Sequence, residues 1–121
     1  MNLILVFIGG GIGAVLRYLL QLVIGKADGN SFPMATFMAN LIGCLAIGIL
    51  AGMFQKYKFS DTYNLFIITG ILGGFTTFSS FGLEFMQLIS NKFFLLAIWY
   101  CLLTNILGLG LALGGFYFTR Y

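Results

Sequence analysis

The sequence predicts an all-α integral membrane protein with four transmembrane helices, the third of them broken near its middle. Of 121 residues, 60% are hydrophobic and only 7% are charged, and polar residues cluster in three short segments. Soluble proteins carry about a quarter charged residues. This chain therefore has more apolar surface than a soluble core could bury, and we expect one transmembrane domain over residues 1–121.

Each apolar segment is long enough to cross a bilayer, which takes about 20 helical residues. The segments are separated by "GKADGNSFP", "QKYKFSDTYN" and "SNK". We therefore predict spans at about 3–24, 34–54, 65–89 and 93–118. The first segment lacks the basic n-region and the obvious cleavage site of a signal peptide, so we expect it to be a retained span.

Several function classes are disfavoured by the sequence. The six Lys and Arg residues are scattered, so we expect no nucleic-acid partner. Cys44 and Cys101 both lie in apolar segments, which favours packing over a disulfide. No acid–base pair, metal-binding cluster or nucleophile with a base is apparent, so we expect that the protein is not an enzyme.

Basic residues are divided almost evenly between the two sides of the membrane. Four spans place both termini on one side, together with Lys56, Lys58 and Arg120. The other side carries Lys26 and Lys92, with Arg17 inside the first span nearer to that side. So weak a positive-inside bias permits both orientations, and we predict dual insertion and an antiparallel homodimer. A chance balance in a small protein is the alternative.

Small and polar residues recur every four positions along the second span: Thr36, Asn40, Cys44, Gly48 and Gly52. Two glycine pairs have the same spacing, Gly9 with Gly13 and Gly110 with Gly114. Small residues at this spacing let helix backbones approach closely in lipid. Close helix packing is the plainer interpretation for the glycines.

Two polar side chains inside the spans have both a structural and a functional interpretation. Asn40 either forms an interhelical hydrogen bond or lines an ion pathway. Arg17 lies seven residues from the end of its span, so it either extends to the interface or supplies a positive charge to a water-filled vestibule. The residues alone leave both choices open.

The third span contains a segment that disfavours a continuous helix. Between Gly73 and Gly82, seven of ten residues are Gly, Ser or Thr, which costs roughly 4–5 kcal/mol of helix propensity against alanine. If the helix breaks, the freed backbone groups must be buried or line a cavity. Unwound carbonyls can hold a cation, so "GGFTT" suggests an ion site in mid-membrane.

Phenylalanines recur in this span at the spacing of one helical face: Phe75, Phe78, Phe81 and Phe85. Such a stripe usually serves lipid contact or packing, but hydroxyl residues lie between the rings: Thr77, Ser79 and Ser80. Ring edges are electropositive, so edges and hydroxyls beside a narrow path would stabilise an anion. Tyr100 and Thr104 either extend this polar track on the fourth span or belong to the core.

Three stretches carry a resemblance to a known family: "GGGIGAVLRY", "ATFMANLIG" and "GGFTTFSSF". In this order and in a chain of this length, the sequence resembles the Fluc (CrcB) fluoride channels over essentially its whole length. The resemblance implies a dual-topology antiparallel homodimer in the plasma membrane. It would conduct fluoride passively out of the cell and so lower the cytoplasmic concentration of this toxic anion.

The resemblance also implies roles for particular residues. The fluoride pathway would be lined by Asn40, Phe78, Phe81, Thr77, Ser80, Tyr100 and Thr104, and Arg17 would lie in the anion vestibule. A structural sodium ion at the dimer centre would be held by the main-chain carbonyls of Gly73 and Thr76. Gly108 has no hydroxyl where the track would continue, and the role of Glu84 stays open.

Two further classes of membrane protein compete with the channel. A small multidrug-resistance transporter also has four spans, but its chemistry needs a carboxylate in the first span, where this chain has Arg17 and no acid. A structural membrane subunit without transport activity would tolerate apolar replacement of Asn40, Phe78 and Phe81.

Overall fold

The computed structural model describes all 121 residues, and every regular element in it is helical. The first, second and fourth spans are α1 (Asn2–Ile24), α2 (Met34–Tyr57) and α6 (Phe94–Arg120). The third span consists of α3 (Asp61–Tyr63), a π-helix (Asn64–Leu72), α4 (Gly73–Phe75) and α5 (Phe78–Ser90). By length and composition, all four spans are able to cross a membrane, as the sequence predicts. The membrane boundaries and the single domain stay predictions.

Most of the large apolar side chains lie on the outside of the protomer. Only 19 of 121 residues are buried, whereas Phe7, Val23 and Phe118 are each more than 80% exposed. Outward apolar surface of this extent is the arrangement expected where lipid is the solvent, because spanning helices lose nothing by exposing such side chains to the acyl chains.

The two glycines of the small-residue stripe of α2 pack against α6. Gly48 lies against Ala112, and Gly52 lies against Phe116 and Thr119, so the two helices run parallel. The Thr119 hydroxyl donates to the Ile49 carbonyl over 3.0 Å. Close helix packing is therefore observed within one protomer for Gly48 and Gly52.

The glycines of α1 pack against the first half of the third span. A Cβ added at Gly9 would lie 2.6 Å from the Phe66 carbonyl oxygen, and one at Gly13 would lie 2.7 Å from the Phe75 nitrogen. Gly110 and Gly114 differ, because nothing lies within 4 Å of a Cβ at either position. Their spacing serves no close contact within the protomer.

Two extended residues separate α4 from α5. Thr76 has φ −83° and ψ 154°, and Thr77 has φ −154° and ψ 126°. Phe75 therefore ends α4, while Phe78, Phe81 and Phe85 belong to α5, so the four rings do not share one continuous helix. The π-helix before α4 was not part of the sequence prediction; such segments often occur at functional sites.

Polar contacts order the loop between α1 and α2. The Asn30 N–H and the Ser31 hydroxyl donate to the Asp28 carboxylate over 2.9 and 3.1 Å, and these bonds hold the pKa of Asp28 below its usual value. The Asn91 amide, after α5, donates to the Gly29 carbonyl. The loop is thereby attached to the end of the third span.

Candidate functional site

Asn40 bridges α2 to the extended residues of the third span. Its Nδ2 donates to the Thr77 carbonyl over 3.1 Å, and its Oδ1 accepts from the Thr77 N–H over 2.9 Å. Both backbone groups of Thr77 are therefore paired by one side chain. This satisfies backbone groups that lipid could not have satisfied.

The same bonds leave two main-chain carbonyls without their usual helical donors. In a continuous α-helix the Gly73 carbonyl would accept from the Thr77 N–H, and the Thr76 carbonyl from the Ser80 N–H. Here the Thr77 N–H donates to Asn40, and the Ser80 N–H donates to the Thr77 hydroxyl over 3.1 Å. Carbonyl oxygens released in this way are suitable ligands for a hard cation.

A cavity of about 580 Å³ lies between α2, the third span and α6. Its lining includes Gly73, Thr76 and Thr77 from the third span, and Asn40 from α2. From α6 it includes Thr104, whose buried hydroxyl forms no hydrogen bond. The sequence-predicted cation ligands and much of the predicted pathway therefore lie around one space.

The two phenylalanines of the predicted pathway have different environments. Phe78 is 82% exposed, whereas Phe81 is buried and its ring centroid lies 4.9 Å from that of Tyr100. The Phe78 and Phe81 centroids are 5.6 Å apart, and both rings line the 580 Å³ cavity. The pair extends from the packed core to the open side of the protomer.

Glu84 lies in the middle of a buried hydrogen-bonded group. Its Oε1 accepts from the Thr36 hydroxyl over 2.6 Å, and its Oε2 accepts from the Tyr100 hydroxyl over 2.9 Å. Tyr100 is fully buried, and Thr36 and Glu84 are each 7% exposed. One carboxylate thus joins α2, α5 and α6, a role that could not be assigned to Glu84 from the sequence.

Arg17 is directed toward the third span. Its Nε donates to the Gly74 carbonyl over 3.2 Å, and its Nη1 donates to the Ser80 hydroxyl over 3.4 Å. A guanidinium has five N–H donors, so others remain free. Arg17, Ser80, Thr36 and Glu84 line a second cavity, of about 260 Å³.

The start of α5 separates the two cavities. Thr77, Phe78 and Phe81 line the larger cavity, while Ser80 and Glu84 line the smaller one. The Thr77 hydroxyl caps α5 by accepting from the Ser80 N–H. Because the first N–H groups of a helix and its dipole favour negative charge, the start of α5 within the third span has a potential that favours an anion.

The structure therefore distributes the predicted residues over two adjacent cavities rather than one. Only Tyr100 lines neither cavity, since its hydroxyl is directed to Glu84. Two polar residues were missed or left unassigned: Thr36, the bonding partner of Glu84, and Asn105, which lines the larger cavity. The signal for Asn105 is a lone amide within the apolar run "LLTNILG".

Comparison with known proteins gives concordant results. The family model "CrcB-like protein, Camphor Resistance (CrcB)" matches residues 4–116. A relative from Helicobacter acinonychis (strain Sheeba), named fluoride-specific ion channel FluC, is 44% identical over 96% of this chain and 95% of its own. A protein of the same name from Helicobacter pylori (strain J99) is 45% identical over 96% of this chain and 93% of its own. Another, from Flavobacterium psychrophilum, is 47% identical over 84% of this chain and 83% of its own.

Proposed function

The chain belongs to the CrcB family, and from this membership we propose that it is a passive, fluoride-selective ion channel. The observation that carries the proposal is about 45% identity, over most of both chains, to relatives named fluoride-specific ion channels. The family is one of ion channels, so the chain is not an enzyme. The family match also leaves no support for a multidrug transporter.

The two cavities supply the chemistry that a small anion needs. Fluoride must exchange tightly held water for close donors, and Arg17, Ser80 and the beginning of α5 offer donors and positive potential at the smaller cavity. Phe78 and Phe81 offer ring edges at the larger one. We place the fluoride pathway along these groups, with Arg17 in the vestibule.

The remaining pathway residues contribute hydrogen bonds. Asn40 has a second amide N–H besides the one donated to Thr77, and the Thr104 hydroxyl is unpaired. Tyr100 donates to Glu84, so its contribution is to orient that carboxylate beside the smaller cavity. Asn40 and Thr104 are therefore hydrogen-bond donors along the proposed pathway, and Tyr100 positions a neighbouring carboxylate.

The third span is proposed to be a functionally broken membrane helix that holds a structural sodium ion. The carbonyls of Gly73 and Thr76 fit a cation because their usual helical donors are engaged elsewhere. A bound sodium ion would supply a fixed positive charge beside the pathway. Two carbonyls are too few ligands for a hard cation, which favours a site completed by a second protomer.

The functional unit is proposed to be an antiparallel homodimer in the plasma membrane. The near-even division of basic residues supports insertion in both orientations. No energy-coupling site is apparent, so fluoride would move down its own gradient and leave the cell whenever its cytoplasmic concentration is the higher one.

Fluoride efflux from liposomes tests this function, with chloride efflux as the selectivity control. We expect rapid fluoride efflux through the native protein and, for Phe78→Ile, a decrease of about tenfold or more, equivalent to a barrier higher by about 1.4 kcal/mol. Phe78 is suited to the test because its ring is 82% exposed and contributes little to the protomer core. Phe118→Ile, on the outer surface of α6, is the matched control.

The outcomes separate the parts of the proposal. Absence of fluoride efflux through folded native protein would refute the channel, and native efflux from Phe78→Ile would refute the role of the ring. In a further arm, a large organic cation replaces sodium on both sides of the membrane. We expect efflux to fall, and undiminished efflux after exhaustive exchange would refute the sodium site.

A further inference from the structure

Asn105 is an exposed amide in the middle of α6 that the proposed pathway does not use. It lies roughly 16 Å along the helix from Phe94 and 22 Å from Arg120, at 1.5 Å per residue. Its short side chain cannot reach water at either end of the span. An amide at this depth requires a polar partner within protein.

The hydrogen bonds of Asn105 leave one particular atom without a partner. Its Nδ2 donates to the Cys101 carbonyl oxygen over 2.8 Å and to the Cys101 Sγ over 3.7 Å. Its Oδ1 accepts no hydrogen bond in the protomer. An unpaired amide oxygen facing lipid is costly because the acyl chains contain no donor.

The surroundings of Asn105 indicate what covers it. Asn105 lines the 580 Å³ cavity together with Thr104, whose hydroxyl is also unpaired, and with Gly73 and Thr76, the candidate cation ligands. Phe78, on the same cavity, is 82% exposed. At the open side of the cavity the Asn105 Oδ1 therefore lacks a donor, and protein is a far better neighbour for such an atom than lipid.

We propose that a second copy of this chain covers this side of the cavity and donates a hydrogen bond to the Asn105 Oδ1. The inference rests on the dimer in the proposed function and identifies a residue that holds its two protomers in register. In a two-fold interface the bond is made twice, because each protomer presents the same surface. Single buried asparagines fix the register of helix pairs in the same manner.

Asn105 is assigned to the interface rather than to fluoride because of the atom it leaves free. Its N–H donors are directed to Cys101, so the group available at the cavity is an acceptor. An acceptor oxygen repels an anion but pairs with a donor from another chain.

The test compares dimer association in lipid bilayers for the native protein, Asn105→Leu and Ile106→Leu. Fluorescently labelled protein is diluted into membranes, and dimers are counted by single-molecule photobleaching. We expect Asn105→Leu to weaken association roughly 3- to 20-fold for each hydrogen bond lost. Ile106 is 65% exposed on the same helix, so Ile106→Leu is expected to associate as the native protein does.

Two more variants strengthen the test. Asn105→Gln retains an amide oxygen and is expected to keep more of the native association than Asn105→Leu. Asn105→Ala is used if the leucine variant does not fold, as judged by circular dichroism. Native association of Asn105→Leu or Asn105→Ala would overturn the inference. If such a variant also showed reduced fluoride efflux, Asn105 would act on the ion rather than on the interface. Loss of efflux through the native protein would refute the channel and leave the association result valid.

Discussion

At the scale of single residues, Asn40 shows how one side chain can pair the backbone groups of an extended residue between two helices of the third span. The sequence left two interpretations open, an interhelical hydrogen bond or a pathway residue. The structure shows the interhelical bonds, since both amide atoms pair with the backbone of Thr77. The pathway role remains a proposal, and it depends on the N–H that these bonds leave free.

The first prediction concerns Asn40→Leu, which removes both bonds to Thr77. Each backbone group left unpaired in a buried site costs about 1–3 kcal/mol, so we expect a lower thermal unfolding temperature. The measurement is thermal unfolding of the detergent-solubilised protein, with Ile42→Leu on the exposed side of α2 as the control. An unfolding temperature equal to that of native protein would show that Asn40 does not hold the third span.

At the scale of elements, close packing depends on which glycines of a helix face a neighbour. The run "GGGIG" in α1 places Gly9 against the backbone of the third span, whereas nothing lies within 4 Å of a Cβ at Gly11. Both positions are helical, and alanine has a higher helix propensity than glycine at each of them. Only at Gly9 does the methyl group meet main-chain atoms.

The second prediction compares Gly9→Ala with Gly11→Ala. At Gly9 the added Cβ would lie 2.6 Å from the Phe66 carbonyl oxygen and 3.0 Å from the Gly70 Cα, so α1 and the third span must separate. Overpacking of this kind typically lowers the free energy of unfolding by about 1–3 kcal/mol, and we expect a decrease of this size for Gly9→Ala. Gly11→Ala is expected to be neutral or more stable by up to about 1 kcal/mol. The measurement is the thermal unfolding temperature of both variants under the same conditions. Equal unfolding temperatures for Gly9→Ala and Gly11→Ala would contradict this packing.

At the scale of the whole molecule, the weak charge bias is the property on which the proposed dual insertion depends. Lys56, Lys58 and Arg120 lie toward one end of the helical bundle and Lys26 and Lys92 toward the other. Removing two positive charges from either end would turn a near balance into a clear bias. Orientation is therefore open to change by substitutions that lie outside both cavities.

The third prediction uses two oppositely biased double variants, Lys26→Gln with Lys92→Gln, and Lys56→Gln with Lys58→Gln. We expect each variant alone to insert mainly one way and to protect cells from fluoride poorly, because an antiparallel dimer needs both orientations. Co-expression should restore growth on fluoride toward the native level. Full protection by either variant alone, with a single orientation shown by labelling of the termini, would contradict the antiparallel dimer.

The sequence by itself determined four apolar segments long enough to cross a membrane, and it identified most of the polar residues that line the two cavities. The hydropathy of a segment is the sum over its own residues, and the required length is set by the thickness of the bilayer. A span can therefore be predicted without knowing how the helices pack. The "GGFTT" step also showed where helix propensity is low, because propensity is local.

Only the tertiary structure decided which polar groups meet. The bonds of Asn40 to Thr77 and of Glu84 to Thr36 and Tyr100 join residues on different helices. Burial of Phe81 beside an exposed Phe78 likewise depends on what packs against α5. Such pairings are set by the rotation and depth of each helix relative to its neighbours. The spacing of residues along one helix shows which of them share a face, but not which neighbour that face meets or at what depth.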